Sequence, residues 1–227
     1  MSMDNIEYFF DLSKSVHQEL FAGSRFVWDP LKKISSYLKS KELGNIEGII
    51  SAGVHLENPE EIFIGKNTVI EAGAYIKGPC YIGSNCEVRS GAYIRGNVIL
   101  SDESVVGHAT EVKNSILLNR AHAAHFNYVG DSILGKNSNL GAGMICANLR
   151  LDQEEVCLFY EGKKILTGLK KLGLILGDDS QIGCNCVSNP GTVTGKKVFS
   201  HACLNIKGFI PSGTVVKSPV NLSLEEK

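Results

Sequence analysis

The chain has no CxxC pair among its seven cysteines, no apolar run approaching the roughly 18 residues that cross a bilayer, and no surplus of either charge sign. Each absence removes a class of protein. An odd number of scattered cysteines argues against a disulfide framework and predicts a reduced, cytoplasmic setting. The opening Met-Ser-Met-Asp-Asn lacks the basic and apolar stretches of a secretory leader, which gives the same expectation. With 23 basic against 24 acidic residues, no whole-molecule field gathers nucleic acid or an anionic membrane surface, so any anion site is local. A length of 227 residues fits one main domain with a modest appendage.

What the chain does have is a period of six. From Ile64 it reads IGKNTV, IEAGAY, IKGPCY, IGSNCE, VRSGAY and IRGNVI, with Ile or Val always first, a small residue fifth (Thr68, Ala74, Cys80, Cys86, Ala92, Val98), and Gly, Asn or Pro crowding the middle. A helix cannot hold Ile on one face at a spacing of six, and hairpins would not return to the same phase so often. Short parallel strands joined by tight corners do both, three hexads to a triangular turn with Ile and Val pointing inward. Asn and Gly at the corners supply the positive φ that such turns need. The expected fold is mainly β: a single-stranded parallel β-helix of hexapeptide repeats.

Two segments break the repeat. Residues 1–45 place Ile6, Phe9, Phe10, Leu12, Val16, Leu20 and then Leu31, Ile34, Tyr37, Leu38 at helical spacing, with Gly23 between the groups and Asp29-Pro30 as cap and first-turn proline. Two short amphipathic helices capping the open end of the prism are expected. Residues 149–172 read as two strands around Glu161-Gly162, a hairpin protruding from the 46–218 prism and ending in Lys170-Lys171; residues 219–227 form a tail.

The inward positions continue through Val106, Val112, Leu117, Ala123, Val129, Leu134 and Leu140, in steps of six, five, six, six, five and six. Two corners are therefore one residue short. Three steps from Val106 total 17 residues, which stacks His108, His125 and Ala142 on one edge of the prism. An imidazole that titrates near neutrality beside a glycine-rich turn suits a proton acceptor next to a backbone donor.

Residues 106–148, VGHATEVKNSILLNRAHAAHFNYVGDSILGKNSNLGAGMICAN, with both short corners, resemble the acetyltransferase half of bifunctional N-acetylglucosamine-1-phosphate uridyltransferase/glucosamine-1-phosphate acetyltransferase. The whole chain, with its helical head and TGLKKLG stretch, is also similar to stand-alone relatives labelled sugar-phosphate nucleotidyltransferases or pyrophosphorylases. No glycine-rich, Arg- and Lys-bearing nucleotide loop lies near the start, so nucleotidyl transfer is not expected of this chain.

The resemblance implies a left-handed helix and a cytoplasmic homotrimer with a site shared between subunits. It also implies acetyl transfer from acetyl-CoA to the amine of a hexosamine 1-phosphate, in nucleotide-sugar and cell-envelope precursor synthesis, with no metal. By the same resemblance His125 is the general base, the Ala142 N–H holds the oxyanion and Asn148 orients the amine. Lys113 and Tyr128 bind the sugar phosphate, Lys171 completes the pocket and Asn139 contacts the sugar. A phosphate-binding arginine falls on Arg95 by distance from Val106 or on Arg89 by its RSGA context, Arg95 being preferred. Cys184 stands where the family has a Ser near the thioester, Leu149 where it has a Tyr, and the tail NLSLEEK has no basic arm for coenzyme A. Two other readings stay open. One is a zinc site among His108, His122, His125 and His201, or at Cys184-x-Cys186 with His201. The other is a noncatalytic prism that binds a sugar nucleotide or a partner enzyme.

Overall fold

A computed structural model describes residues 3–218; the tail at 219–227 lies outside them. The hexads wind into a left-handed parallel β-helix. Its first wall has nine strands, from Ile49–Ile50 to Val215–Val216. The second has eight, from His55–Glu57 to Asn205–Ile206, and the third eight, from Ile62–Ile64 to Phe209–Ile210. The inward positions from Ile64 to Leu140 are all buried and form one continuous core with Cys80, Cys86, Met144 and Cys146. Burial pushes the Cys80 and Cys146 thiols up to about 12, so they pack as small apolar groups. All seven cysteines are free.

Coil-to-coil register follows the short corners. Val88 pairs with Val106, 18 residues on, whereas Val106, Ala123 and Leu140 are 17 apart. Corner residues take left-handed φ as expected, mostly Asn and Gly. The coils press closest at Gly107, where a β-carbon would overlap the Ala124 carbonyl.

The helical head lies along a wall rather than over the open end. It forms three helices, α1 (Ile6–Phe9), α2 (Gln18–Phe21) and α3 (Pro30–Lys39). The first expected helix is interrupted because the chain at Asp11 is tied to the prism: its N–H donates to the Asp178 carboxylate at 2.6 Å. At the start of α3, Asp29 accepts from the Phe26 N–H at 2.8 Å and from the Lys32 ammonium at 2.9 Å. Phe9, Phe10, Trp28, Ile34 and Leu38 are buried in one cluster with Ile99, Ile116, Ile133, Ile175 and Val193, the outward residues of the third wall. An apolar outer face has to be covered, and the head covers it.

The hairpin, Cys157–Tyr160 paired antiparallel with Lys163–Leu166 around Glu161-Gly162, lies down on the same wall. Val156 and Leu158 are buried in the head's cluster and Tyr160 packs edge-on to Phe209 at 5.0 Å. Phe159 and Leu166 face outward. Among the described residues no helix is long and apolar enough to cross a membrane.

Two outcomes test this packing. Gly107→Ala should cost about 3 kcal/mol, because Ala124 is backbone that cannot move without breaking the ladder; an unchanged melting temperature would contradict the close approach. The second concerns His17, buried between Tyr37 and Tyr81. Burial, helped by the Lys41 charge, lowers its pKa from 6.5 to about 4. The unfolded chain therefore binds the extra proton first, and stability present above about 6.5 is lost as pH falls through about 4. Asp178 runs the other way, since burial raises it to about 6. A comparison with His17→Gln isolates the histidine: from pH 7 to pH 4 wild type should lose about 3 kcal/mol relative to the variant. Urea titrations followed by the lone tryptophan, Trp28, which sits inside the head, read this directly. Parallel pH curves for the two proteins would refute the buried neutral imidazole.

Candidate active site

The corner between the first and second walls carries the column that the short turns create. His108 pairs in register with His125. The Phe126 N–H donates to the His108 carbonyl at 2.9 Å, Gly143 to His125 at 3.0 Å and Asn185 to Ala142 at 2.8 Å. By that constant offset His108, His125, Ala142 and Cys184 follow one another rung by rung. Both imidazoles are exposed. His108 Nδ1 lies 2.8 Å from the Ser90 carbonyl, whereas the His125 ring has no hydrogen-bond partner among the described residues. The Ala142 N–H likewise has no acceptor among them, leaving a donor one rung from His125.

The next residue sharpens this corner. Its left-handed slot is glycine at Gly53, Gly73, Gly91 and Gly143 and a small or amide residue at Ala109, Asn185 and Cys203, but Phe126 fills it in the His125 coil with φ 52°. A bulky side chain there is unusual and locally strained. Phe126 stays 54% exposed, edge-on to His108 at 5.4 Å and tilted against His125 at 6.3 Å, an apolar flank beside both rings.

The second wall and its far corner hold a polar network. Lys113 Nζ donates to Asp131 at 2.7 Å, Asn114 Nδ2 to Asp131 at 2.9 Å, and Asn148 Nδ2 to Asp131 at 2.5 Å and to the Tyr128 hydroxyl at 3.2 Å. Arg95, on the coil below, donates to Glu111 at 2.6 Å. Lys171 pairs by its backbone with Leu149, and the neighbouring Leu172 N–H donates to the Asn148 carbonyl at 2.9 Å. The Lys171 side chain is exposed and has no ion pair among the described residues.

Arg95, Lys113, Tyr128, Asn148 and Lys171 are thus brought together. Asn139 and Arg89 are not, since both belong to the first wall. Asn139 pairs with His122 and Gln181 and lines an open groove of about 540 Å³ with Glu103, Arg120 and Asn137. Arg89 is bound by Glu87 and, after burial, helps lower the His122 imidazole below its usual value. Of the two arginines, Arg95 shares a wall with Lys113 and Tyr128. Neither Arg95 nor Lys113 is an unpaired cation, because Glu111 and Asp131 compensate them. A larger open groove, about 590 Å³, lies between head and prism at Phe10, Phe21 and Lys196, away from both the histidine column and the network. Among the described residues no three of His, Cys, Asp or Glu converge as metal ligands would.

Asp131 was not among the residues picked out by sequence. Its signal is a corner position: Asn58, Asn97 and Asn114 hold the left-handed slot between the second and third walls, and Asp131 holds it with φ 49° in the coil above Asn114. A carboxylate where the repeat uses an amide marks a demand beyond turn geometry.

Residues 76–220 match the family model described as the GMPPB C-terminal domain. The bifunctional sugar-1-phosphate nucleotidylyltransferase/acetyltransferase of Sulfurisphaera tokodaii is 34% identical over 168 residues, 73% of this chain and 40% of that protein. The uncharacterized acetyltransferase YaiX of Escherichia coli O6:K15:H31 is 33% identical over 183 residues, 81% of this chain and 80% of its own. The chain spans less than half of the bifunctional relatives it matches. Among solved structures, the UDP-N-acetylglucosamine acyltransferase of Francisella novicida superposes with a TM-score of 0.58 at 12% identity, covering 77% of this chain and 66% of that one, a likeness of fold. With one family model matched over more than half its length and one relative aligned over four-fifths of both chains, the chain belongs to the GMPPB C-terminal domain family, built as a hexapeptide-repeat β-helix.

Proposed function

We propose that the chain is an N-acetyltransferase that moves an acetyl group from acetyl-CoA to the amine of a hexosamine 1-phosphate. The observation that carries this is the corner at His125: an exposed imidazole with both ring nitrogens free, one rung from the unsatisfied Ala142 N–H. His125 takes a proton as the amine nitrogen attacks the thioester carbonyl. The developing oxyanion accepts from the Ala142 N–H, and collapse breaks the C–S bond as the proton passes to the leaving thiol. Cys184, one rung beyond Ala142, borders the thioester. The acetyltransferase names of the relatives support this class.

Lys171, Lys113 and Tyr128 supply phosphate donors, with Asn148 at the amine. Arg95 adds to them from the coil below. Asn139, with the His125 corner, joins these donors from a neighbouring copy in a cytoplasmic homotrimer, and Arg89, the alternative to Arg95, stays paired with Glu87 on the first wall. That arrangement accounts for why one chain carries the two sets of residues on different walls, and why only the third wall is covered by the head.

His125→Ala should lower turnover by roughly 10²- to 10⁴-fold with melting temperature unchanged, and His108→Ala much less. Equal losses from both, or activity abolished by a chelator and restored by zinc, would favour a metal site. Because Lys113 is compensated by Asp131, the cleaner phosphate test is Lys171→Ala. It should raise KM for the amino-sugar 1-phosphate about 10-fold, with kcat and the reaction of the free amino sugar little changed. If wild type acetylates the free sugar as well as its 1-phosphate, the phosphate pocket is wrong. Sugar-nucleotide binding with no acetylated product would favour the noncatalytic reading.

A further inference from the structure

We infer that Asp131 is a positioning residue that fixes which atom of the Asn148 amide meets the substrate, so that this part of the site presents a hydrogen-bond acceptor to the ligand's amine. The inference rests on the acetyl-transfer reading of the site. Asp131 is 5% exposed and its carboxylate gathers three donors: Lys113 Nζ at 2.7 Å, Asn114 Nδ2 at 2.9 Å and Asn148 Nδ2 at 2.5 Å. A carboxylate offers acceptors only, so of the two ends of the Asn148 amide only the NH₂ can face it. The Tyr128 hydroxyl, 3.2 Å from the same nitrogen, accepts or donates equally well and cannot make the choice alone.

With Nδ2 held, Asn148 Oδ1 is the end left over. It has no hydrogen-bond partner among the described residues and is not among the side-chain atoms sealed from solvent without one. An unpaired acceptor on an 8% exposed side chain is tuned to a donor arriving from outside. An amine N–H is such a donor. Its hydrogen bond to Oδ1 leaves the nitrogen lone pair directed away from Asn148 for attack. A reversed amide would present NH₂ to the amine and compete for that lone pair.

Turn geometry does not require an acid at this slot, because Asn114 and Asn97 adopt the same left-handed conformation one and two coils below. Asp131→Asn therefore keeps the corner while removing the choice. The carbonyl oxygen of the substituted amide would go on accepting from Asn114, as Asn67 donates to Asn85 along another corner ladder. Its NH₂ would then confront Lys113 and the Asn148 NH₂, donor against donor. Asn148 would turn over or swing free, and the Lys113 ammonium would lose its counter-charge.

These two effects separate in one variant. Asp131→Asn should lower kcat roughly 10- to 100-fold, as misorientation of a reacting group does, while KM for the amino-sugar phosphate stays level or falls, because the Lys113 cation is released to the phosphate. Inorganic phosphate, used as a probe by calorimetry, should bind the variant more tightly than wild type. A merely structural role would lower stability and raise KM without that gain. Should Asp131→Asn fold poorly, the double variant Lys113→Met/Asp131→Asn restores charge neutrality and should still show the kcat loss. In parallel, selective ¹⁵N-asparagine labelling should show the Asn148 side-chain NH₂ slowly exchanging in wild type and rapidly exchanging in Asp131→Asn. Wild-type kcat in both variants, or an Asn148 amide that exchanges alike in wild type and Asp131→Asn, overturns the inference. If the protein acetylates no amino-sugar phosphate but the exchange contrast is seen, the clamp stands and the substrate reading fails.

Discussion

Backbone hydrogen bonds parallel to the prism axis tie each coil to the next, and everything else on the surface depends on that ladder. They make a residue's neighbours on the adjoining rungs those 16 to 20 or, across the hairpin insertion, 42 positions away, as in His108–His125, Val88–Val106 and Leu140–Ile182. Side chains distant in sequence become neighbours at about 4.8 Å without any tertiary docking. A change of one residue at a corner shifts a whole column relative to the next. The two short corners after Val112 and Val129 place His125 over His108 and Ala142 over His125; a strict hexad would have offset each by one residue and faced it to another side. Gly107 shows what this stacking demands, a backbone contact too close for any side chain.

Because the prism core is so regular, it was legible in the sequence: Ile64 to Leu140 fall inward where the six-residue count puts them, and His125 meets His108 as the 17-residue step requires. The placement of the head was not read, although the sequence carried the signal. In coil after coil of the third wall the residue at the middle of the strand is itself apolar, as in Val98-Ile99-Leu100, Ser115-Ile116-Leu117 and Leu174-Ile175-Leu176, where the middle coils of the other walls carry His122, Asn139, Glu111 and Tyr128. That middle residue points outward and needs a cover. Counting only the inward position hides it. Asp131 escaped for a related reason: in a corner slot Asp and Asn look interchangeable, and only Lys113, 18 residues before it, and Asn148, 17 after, reveal why the acid is there.

The covered third wall divides labour within the molecule. Aromatic and aliphatic side chains of the head and hairpin fasten onto Ile99, Ile116, Ile133, Ile175 and Val193, a second apolar cluster beside the prism core. The other two walls keep polar rungs in their middle coils, with His122 and Asn139 on the first and Glu111 and Tyr128 on the second. Chemistry and packing are therefore separated by face, and the corner between the two free walls is where an imidazole and an unsatisfied N–H lie one coil apart.

Charge within the polar network constrains what the second wall can hold. Lys113 with Asp131 and Arg95 with Glu111 sum to zero, so the second wall presents no standing attraction for a dianion. Its surplus comes from Lys171, carried in after the hairpin insertion and set beside Asn148 by the Leu149 bridge. The insertion thus does two things at once: it completes the cover of the third wall through Val156 and Leu158, and it delivers a cation to the edge of the second. An anionic ligand would engage Lys171 first and then compete with Asp131 for Lys113, drawing on a half-buried ion pair already aligned with its acceptor rather than on a flexible surface lysine. Under the proposed acetyl transfer Asp131 would link recognition to catalysis: the more a ligand's phosphate pulled on Lys113, the more the carboxylate would be left to Asn148, whose amide would set the direction of the attacking amine.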